Sequence, residues 1–394
     1  MTYFDHNATA PLHEAARLAW LEATEKFIGN PSSPHRIGSR AEVALEDARS
    51  RLARILQCQP HEIVWTSGAT EANNQVMRHF ARTLPPDAAI CISGIEHPSV
   101  MEAARHYFGA RVELIRAGRD GLAELDWLTD RLAKERPGLV AMMAANNVTG
   151  VHQPWQQVAE LCRQREVPFF CDAVQWLGKE SARGLSACDF VSGCAHKIGG
   201  PRGVGFLKCP ANRRFEPLLY GGPQEEGRRA GTENLAGVIS MVAALEARYP
   251  LLGERDSRLK MRDRFIDRLK AELPGTEIVG ESHPRLWNTV AALLPEADCR
   301  HRWVVKLDKL GFAASTGSAC SSGQEKPSPV LVAMGFAPEE AARVLRFSSG
   351  WETEERDWQN LLNAITQATQ EMITTGHRAR EAVRPIEIRM TNDK

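Results

Sequence analysis

The sequence predicts an α/β protein in two parts. A large domain over residues 13–250 carries a mostly parallel sheet between helices, and 1–12 with 251–394 make a smaller α+β domain. Three observations predict this. Short apolar runs alternate with helical patterns through the first two-thirds of the chain, and βαβα order gives a parallel sheet covered on both faces. Past "ARYPLLGERD" (247–256) the alternation yields to a long helix and mixed short strands. The length, 394 residues, also exceeds what one compact core ordinarily holds.

The elements follow in order. "SRAEVALEDARSRLARIL" opens with Ser39 and Glu42 at capping-box spacing, which predicts a helix starting there. "EIVWT" (62–66), "AAICIS" (88–93), "LVAMMA" (139–144), "VPFFCD" (167–172) and "DFVSG" (189–193) are short, apolar and bounded by turns, so they read as buried strands. In the second part a helix spans 254–272. Strands follow in "TEIVG" and "NTVAALL", then a helix near 299–310, strands in "GFAAS" and "RVLRFSS", and a last helix from about 353. The tail "RPIEIRMTNDK" reads as a frayed end.

Composition narrows the function. Lys plus Arg and Asp plus Glu are both 49, so the formal net charge is zero and the basic excess typical of nucleic-acid binders is missing. The first twenty residues lack the basic and apolar regions of a signal peptide, and the apolar runs look too short to span a bilayer. A soluble cytoplasmic protein is expected, with no direct nucleic-acid or membrane partner. Nine cysteines, an odd number without a C-x-x-C pair, argue against a disulfide framework or a Cys-rich zinc site, and no metal is expected. Most of them read as small buried side chains.

In such sheets ligands sit at the carboxyl ends of the strands. "SGATEANN" follows the first run, and its Ser67, Gly68, Ala69 and Thr70 open a helix whose free N–H groups suit a phosphate. His97 follows the second run, Asn146 and Asn147 the third, Asp172 and Gln175 the fourth, His196 and Lys197 the fifth. Each has a plain alternative: a hydrogen-bonded loop histidine, a capping aspartate, a turn asparagine, a solvated lysine. Together they suit a cofactor with a phosphate, an aromatic ring and a carbonyl. Asp172 would face a protonated ring nitrogen, the amides and Gln175 a ring oxygen, His97 the ring face, and Lys197 would form a Schiff base. That description fits pyridoxal 5′-phosphate.

The chain also resembles the cysteine desulfurases of fold type I, in the class V aminotransferase superfamily. The resemblance runs nearly end to end, through "FDHNATAPLH", "GNPSSPHRIGSRAE", "TSGATEANN", "EHPSV", "NNVTGV", "CDAVQ", "AHKIGGPRGVGF", "RRAGTEN", "STGSACSSG" and "LRFSSG". It implies that Lys197 carries the cofactor and that Ala69, Thr70 and His196 contact its phosphate. Asp172 then faces the pyridine nitrogen, Asn147 and Gln175 the ring hydroxyl, and His97 stacks on the ring. Thr232 matches a threonine that reaches the neighbouring subunit's phosphate, which implies a homodimer. Arg346 matches the arginine that grips the carboxylate of L-cysteine, a task suited to a planar guanidinium. Cys320, on the Ser/Gly-rich stretch 314–329, matches the nucleophile that takes the substrate sulfur as a persulfide and leaves L-alanine. Its spacing to "KPSPVL" looks like the longer-loop branch of the family. A sulfur-acceptor protein, an iron–sulfur scaffold or a thiolation enzyme, is the implied partner.

The match departs at two places. Val148 stands where the family commonly has glutamate, and Cys194, two before His196, where Ser or Thr often bonds the phosphate; a thiol is the weaker donor. The alternatives kept are a selenocysteine lyase with the same residues, a non-catalytic sulfur-transfer scaffold, and a simple aminotransferase, which leaves "GSAC" unexplained.

Overall fold

The computed structural model describes residues 1–211, 215–295, 303–316 and 327–382. Strand β1 (Thr2–Tyr3) comes first. Then come β2 (Ile63–Thr66), β3 (Ile90–Ser93), β4 (Val112–Ile115), β5 (Val140–Ala141), β6 (Phe169–Asp172), β7 (Phe190–Cys194) and β8 (Gly205–Lys208). These seven form one sheet in the order β2-β8-β7-β6-β5-β3-β4. The pairs β3–β4, β3–β5, β5–β6 and β6–β7 are parallel, while β8 lies antiparallel between β2 and β7. The carboxyl ends of β2, β3, β5, β6 and β7 therefore share one edge.

All five predicted strands of the sheet form, within three residues of their expected ends. "LVAMMA" shortens to β5, though Met142 and Ala144 continue to donate backbone bonds to Phe170 and Asp172. Two strands were not expected. β4 is an edge strand whose short apolar stretch is interrupted by Glu113 and only half-buried, and β8 follows a glycine-rich turn read only as a loop. The capping-box start at Ser39 is corrected. The helix runs Arg36–Leu56, and His35 caps it by accepting the Gly38 N–H at 3.1 Å.

Later strands are β9 (Glu277–Ile278), β10 (Thr289–Leu293), β11 (Phe312–Ala313) and β12 (Val344–Ser348). β12, β10 and β9 make an antiparallel sheet, and β1 pairs with β11. Helices Arg255–Glu272, Trp303–Lys309 and Glu355–Ala382 accompany them. The tail 384–394 lies outside the described residues.

The apolar side chains gather in separate clusters. One, under the large sheet, includes Leu52, Trp65, Val140, Trp155, Phe169 and Phe206. Another joins Phe4 to Phe265, Leu269, Val290, Trp303, Phe347 and Trp358. Phe4 is fully buried there, its ring 4.8 Å from that of Trp358. Burying such a side chain contributes roughly 2–3 kcal/mol, enough to pin the N-terminal segment. One stretch within 235–272 is apolar and long enough by composition to cross a membrane, but half of it is buried. Its helix Leu235–Arg248 buries Leu235, Val238, Met241, Val242 and Leu245 in the first cluster.

Candidate active site

The strand ends line a cavity of about 700 Å³. Ala69, Thr70, His97, Asn147, Asp172, Gln175, Cys194, His196, Lys197 and Arg346 all reach it. These ten positions span nearly 280 residues of sequence, and the topology above brings them to one edge.

Gly205 explains how the first part of the rim is built. It pairs with Thr66 on one side and Cys194 on the other. A Cβ there would lie 2.6 Å from both the Gly193 carbonyl oxygen and Gly68 Cα. Only glycine lets the end of β7 close on the turn after β2. Gly68 then opens the helix Ala69–Thr83 without any side-chain cap. The first N–H groups of that helix face the cavity with the positive end of its dipole behind them. Cys194 sits against this turn, with the Ala69 and Lys197 backbone N–H groups on its sulfur. Burial pushes its thiol up to about 11.

His97 caps the helix Pro98–Phe108, and its Nδ1 accepts the Ser99 N–H at 3.1 Å. Ser99 Oγ lies 2.7 Å from the same nitrogen. This network assigns the ring proton to Nε2. Burial lowers the imidazole's affinity for a second proton. Asn73 Nδ2 bridges Ser99 Oγ at 2.8 Å and Asp172 Oδ2 at 3.1 Å. Asp172 Oδ1 accepts the Val174 N–H at 3.0 Å. Burial pushes the Asp172 carboxyl up from its ordinary range, against the pull of Val174, His97, Asn73 and Lys197. Beside it, Glu96 accepts the Met143 N–H at 2.6 Å and is driven well up by burial and by Asp172.

Lys197 leaves β7 on a single 3-10 turn, Ala195–Lys197. Its Nζ donates to the Asn7 and Ala8 carbonyls at 2.7 and 2.6 Å. Residues 7–13 run along this turn, with the Ala10 N–H on the His196 carbonyl and the His13 N–H on that of Gly199. His196 Nδ1 lies 3.3 Å from Thr9 Oγ1, and burial holds its ring at about 4. Across the cavity Arg346 Nη2 donates to Asp5 Oδ1 at 2.6 Å and Nη1 to the Asn147 carbonyl at 3.1 Å. The guanidinium is 2% exposed and Asp5 is 20% exposed.

The residues fit a phosphorylated pyridine. The uncapped helix start suits its phosphate. Buried Asp172 suits a cationic ring nitrogen. Asn147 Oδ1 and Arg346 Nε are buried with no hydrogen-bond partner among the described residues. A ligand in the cavity would satisfy such groups.

Two expected positions stand apart. Thr232 does not reach this cavity; it lines a neighbouring cleft of about 90 Å³ with Glu225, Arg229 and Asn234, sharing Ser67 and Gly203 with the cavity rim. Cys320 lies outside the described residues, as does Cys299; Ser328, Pro329 and Val330, just beyond that stretch, line the cavity. Of the seven described cysteines six are buried, and Cys58 is half-buried. Val148 is buried among Ile95, Val330, Leu331 and Met334, so an apolar wall stands where the family usually has a charge.

The sequence reading missed Asn7, Asp5 and Lys179. Asn7 sits inside the quoted "FDHNATAPLH", and its position before two small residues was the available signal. Asp5 and Lys179 gave none.

A family model, Aminotransferase class-V, matches residues 2–361. A cysteine desulfurase of Klebsiella pneumoniae is 38% identical over 359 residues, 90% of this chain and 89% of that protein. The cysteine desulfurase IscS of Dictyoglomus turgidum is 32% identical over 94% of this chain and 95% of its own. Among solved structures, a NifS-like protein from Rickettsia africae superposes with a TM-score of 0.83 at 28% identity, over 93% of this chain and 99% of that one. SspA, solved in complex with cysteine, superposes at 0.76 with 25% identity, over 88% and 98%. Matches of this extent, on a cavity with these residues, place the chain in the class-V aminotransferase family, among its cysteine desulfurases.

Proposed function

We propose that the chain converts L-cysteine to L-alanine with pyridoxal 5′-phosphate in the cavity described, passing the sulfur to Cys320 as a persulfide. The carrying observation is the convergence of Lys197, Asp172, His97 and Arg346 on one cavity beside an uncapped helix start. When bound, the cofactor supplies an electron sink conjugated to the substrate Cα. Lys197 would hold it, and its amine, steered by the Asn7 and Ala8 carbonyls, is placed to take the substrate Cα proton. Arg346 binds the substrate carboxylate with the donors that Asp5 and Asn147 leave open. His97 presents its Nε2 proton to the ring side. Cys320 attacks the substrate sulfur as thiolate, the S–Cβ bond breaks with its electron pair left on the carbon side, which is protonated to L-alanine, and Cys320 keeps the sulfur as a persulfide.

A homodimer is part of this reading. Thr232 stands outside its own chain's cavity. Leu18, Trp20 and Leu21 on the helix Glu14–Lys26, with Ile28, Ile37 and Val43 beyond it, leave apolar area exposed for a second copy. SspA binding cysteine and the IscS-named relative support the substrate and a sulfur-acceptor protein as the partner.

The test uses Cys320→Ser. This variant keeps the cofactor's visible band and forms no persulfide with cysteine, while the wild type yields alanine and, with a reductant, sulfide in equal amounts. Full sulfur release by the variant refutes the nucleophile's role.

A further inference from the structure

Lys179 is buried behind the cavity and is absent from its lining. Its Nζ reaches two acceptors, Asn7 Oδ1 at 3.0 Å and Gln175 Oε1. Both are amide oxygens, and among the described residues no carboxylate pairs with it. The charged or titratable groups facing it are Lys197, Arg346, Cys194, Glu180 and His6. Burial and the first two push its amine well below the ordinary lysine range. An amine carries at least two N–H donors, and the two acceptors use two of them.

An amide side chain has two ends of nearly equal shape, and its partners decide which end faces where. Lys179 decides it for two residues. With Oε1 turned to Lys179, Gln175 Nε2 donates to the Asn7 carbonyl at 3.0 Å. Its second N–H remains for a ligand in the cavity that Gln175 lines. With Oδ1 accepting from Lys179 and from Asn288 Nδ2 at 3.1 Å, Asn7 points Nδ2 at Thr289 Oγ1, 2.9 Å, and the Asn147 carbonyl, 3.3 Å. The Asn7 carbonyl in turn holds Lys197 Nζ. One amine thus braces a residue on each side of the Lys197 amine.

We propose that Lys179 is a positioning residue. It locks the Gln175 amide with its N–H end toward the cavity and steadies the carbonyl that holds Lys197, and so tunes the electronic state of the bound cofactor. The inference rests on the cofactor reading above.

The readout is the pH titration of the visible band of the Lys197-bound cofactor in purified holoenzyme. Lys179→Met removes both donors at similar volume and leaves Gln175 oriented by the Asn7 carbonyl alone. Losing a donor at the ring oxygen raises the apparent pKa of the band by about 0.5 unit or more. Gln175→Met raises it alike, and the double variant goes no further, because the two act through one contact. Lys179→Gln keeps an N–H donor and titrates closer to wild type; it carries the test if the methionine variant fails to fold. Single variants that titrate like wild type, or shifts that add in the double variant, overturn the proposal alone. A wild-type protein that takes up no visible band overturns the cofactor reading and this inference with it.

Discussion

Replacing Arg346 by glutamine separates substrate binding from cofactor binding. The guanidinium is 2% exposed and spends one Nη2 donor on Asp5 and one Nη1 donor on the Asn147 carbonyl. Nε has no partner. At least three of its five N–H groups are thus open to a carboxylate, enough for a two-point grip. Two charge-assisted bonds in a desolvated site, less what water would have supplied, contribute about 2–4 kcal/mol. At about 1.4 kcal/mol per decade, kcat/KM for cysteine falls roughly 30-fold to 1,000-fold. Most of the loss appears in KM, because the carboxylate is held equally in the ground and transition states. The cofactor band stays, since the Asp172, Lys197 and Ala69 side of the cavity does not touch the guanidinium. Steady-state alanine formation against cysteine concentration, with an absorbance spectrum of each preparation, reads both. An unchanged KM, or a variant that loses the band, refutes the reasoning.

Four other outcomes are expected. Asp5→Asn removes the carboxylate that competes for Arg346 and lowers KM for cysteine a few-fold; a raised KM refutes the competition. Cys194→Ser puts a hydroxyl donor where a thiol sits against the helix start, and tightens cofactor binding to the apoprotein about 3-fold to 10-fold in a fluorescence titration; equal or weaker binding counts against it. Gly205→Ala drives a methyl group into the Gly193 carbonyl and Gly68, so melting temperature and cofactor content both fall; a protein with normal content shows the close approach to be dispensable. Burial holds His6 at about 4, below its unfolded value near 6.5. Its neutral form therefore gives full stability above pH 6.5, lost as pH falls from there toward 4, by up to about 3 kcal/mol. His6→Asn flattens that part of a melting-temperature profile, and an unflattened profile rejects the assignment.

Much of this site was legible in the sequence, and for a physical reason. A parallel sheet sends its strand ends to one edge, so the residues after the apolar runs alone collect His97, Asn147, Asp172, Gln175 and Lys197. What stayed hidden was whatever depends on distant backbone. Asn7 acts through its carbonyl, which has no residue-type signature. Lys179 reads as a surface lysine unless its neighbours are known. β4 has its apolar run broken by Glu113, which the sheet edge tolerates, and β8 hid behind the glycines that let Gly205 pack on Gly68. The helix at 36 was misplaced because His35, not Ser39, supplies the cap. Arg346 and Thr232 came from resemblance alone; Arg346 lies in the cavity and Thr232 in the cleft beside it.

The N-terminal segment has a consequence for biosynthesis. Asp5 bridges to Ser348, and Asn7, besides its contacts with Gln175, Lys179 and Lys197, takes partners from residues 147, 288, 289 and 348. Residues 5–7 thus find these neighbours only once residue 348 has been made. A nascent chain halted before residue 346 carries Lys197 yet lacks the guanidinium that lines the cavity beside it. Capture of a reactive aldehyde or thiol in a finished pocket is thereby deferred until that late segment is in place.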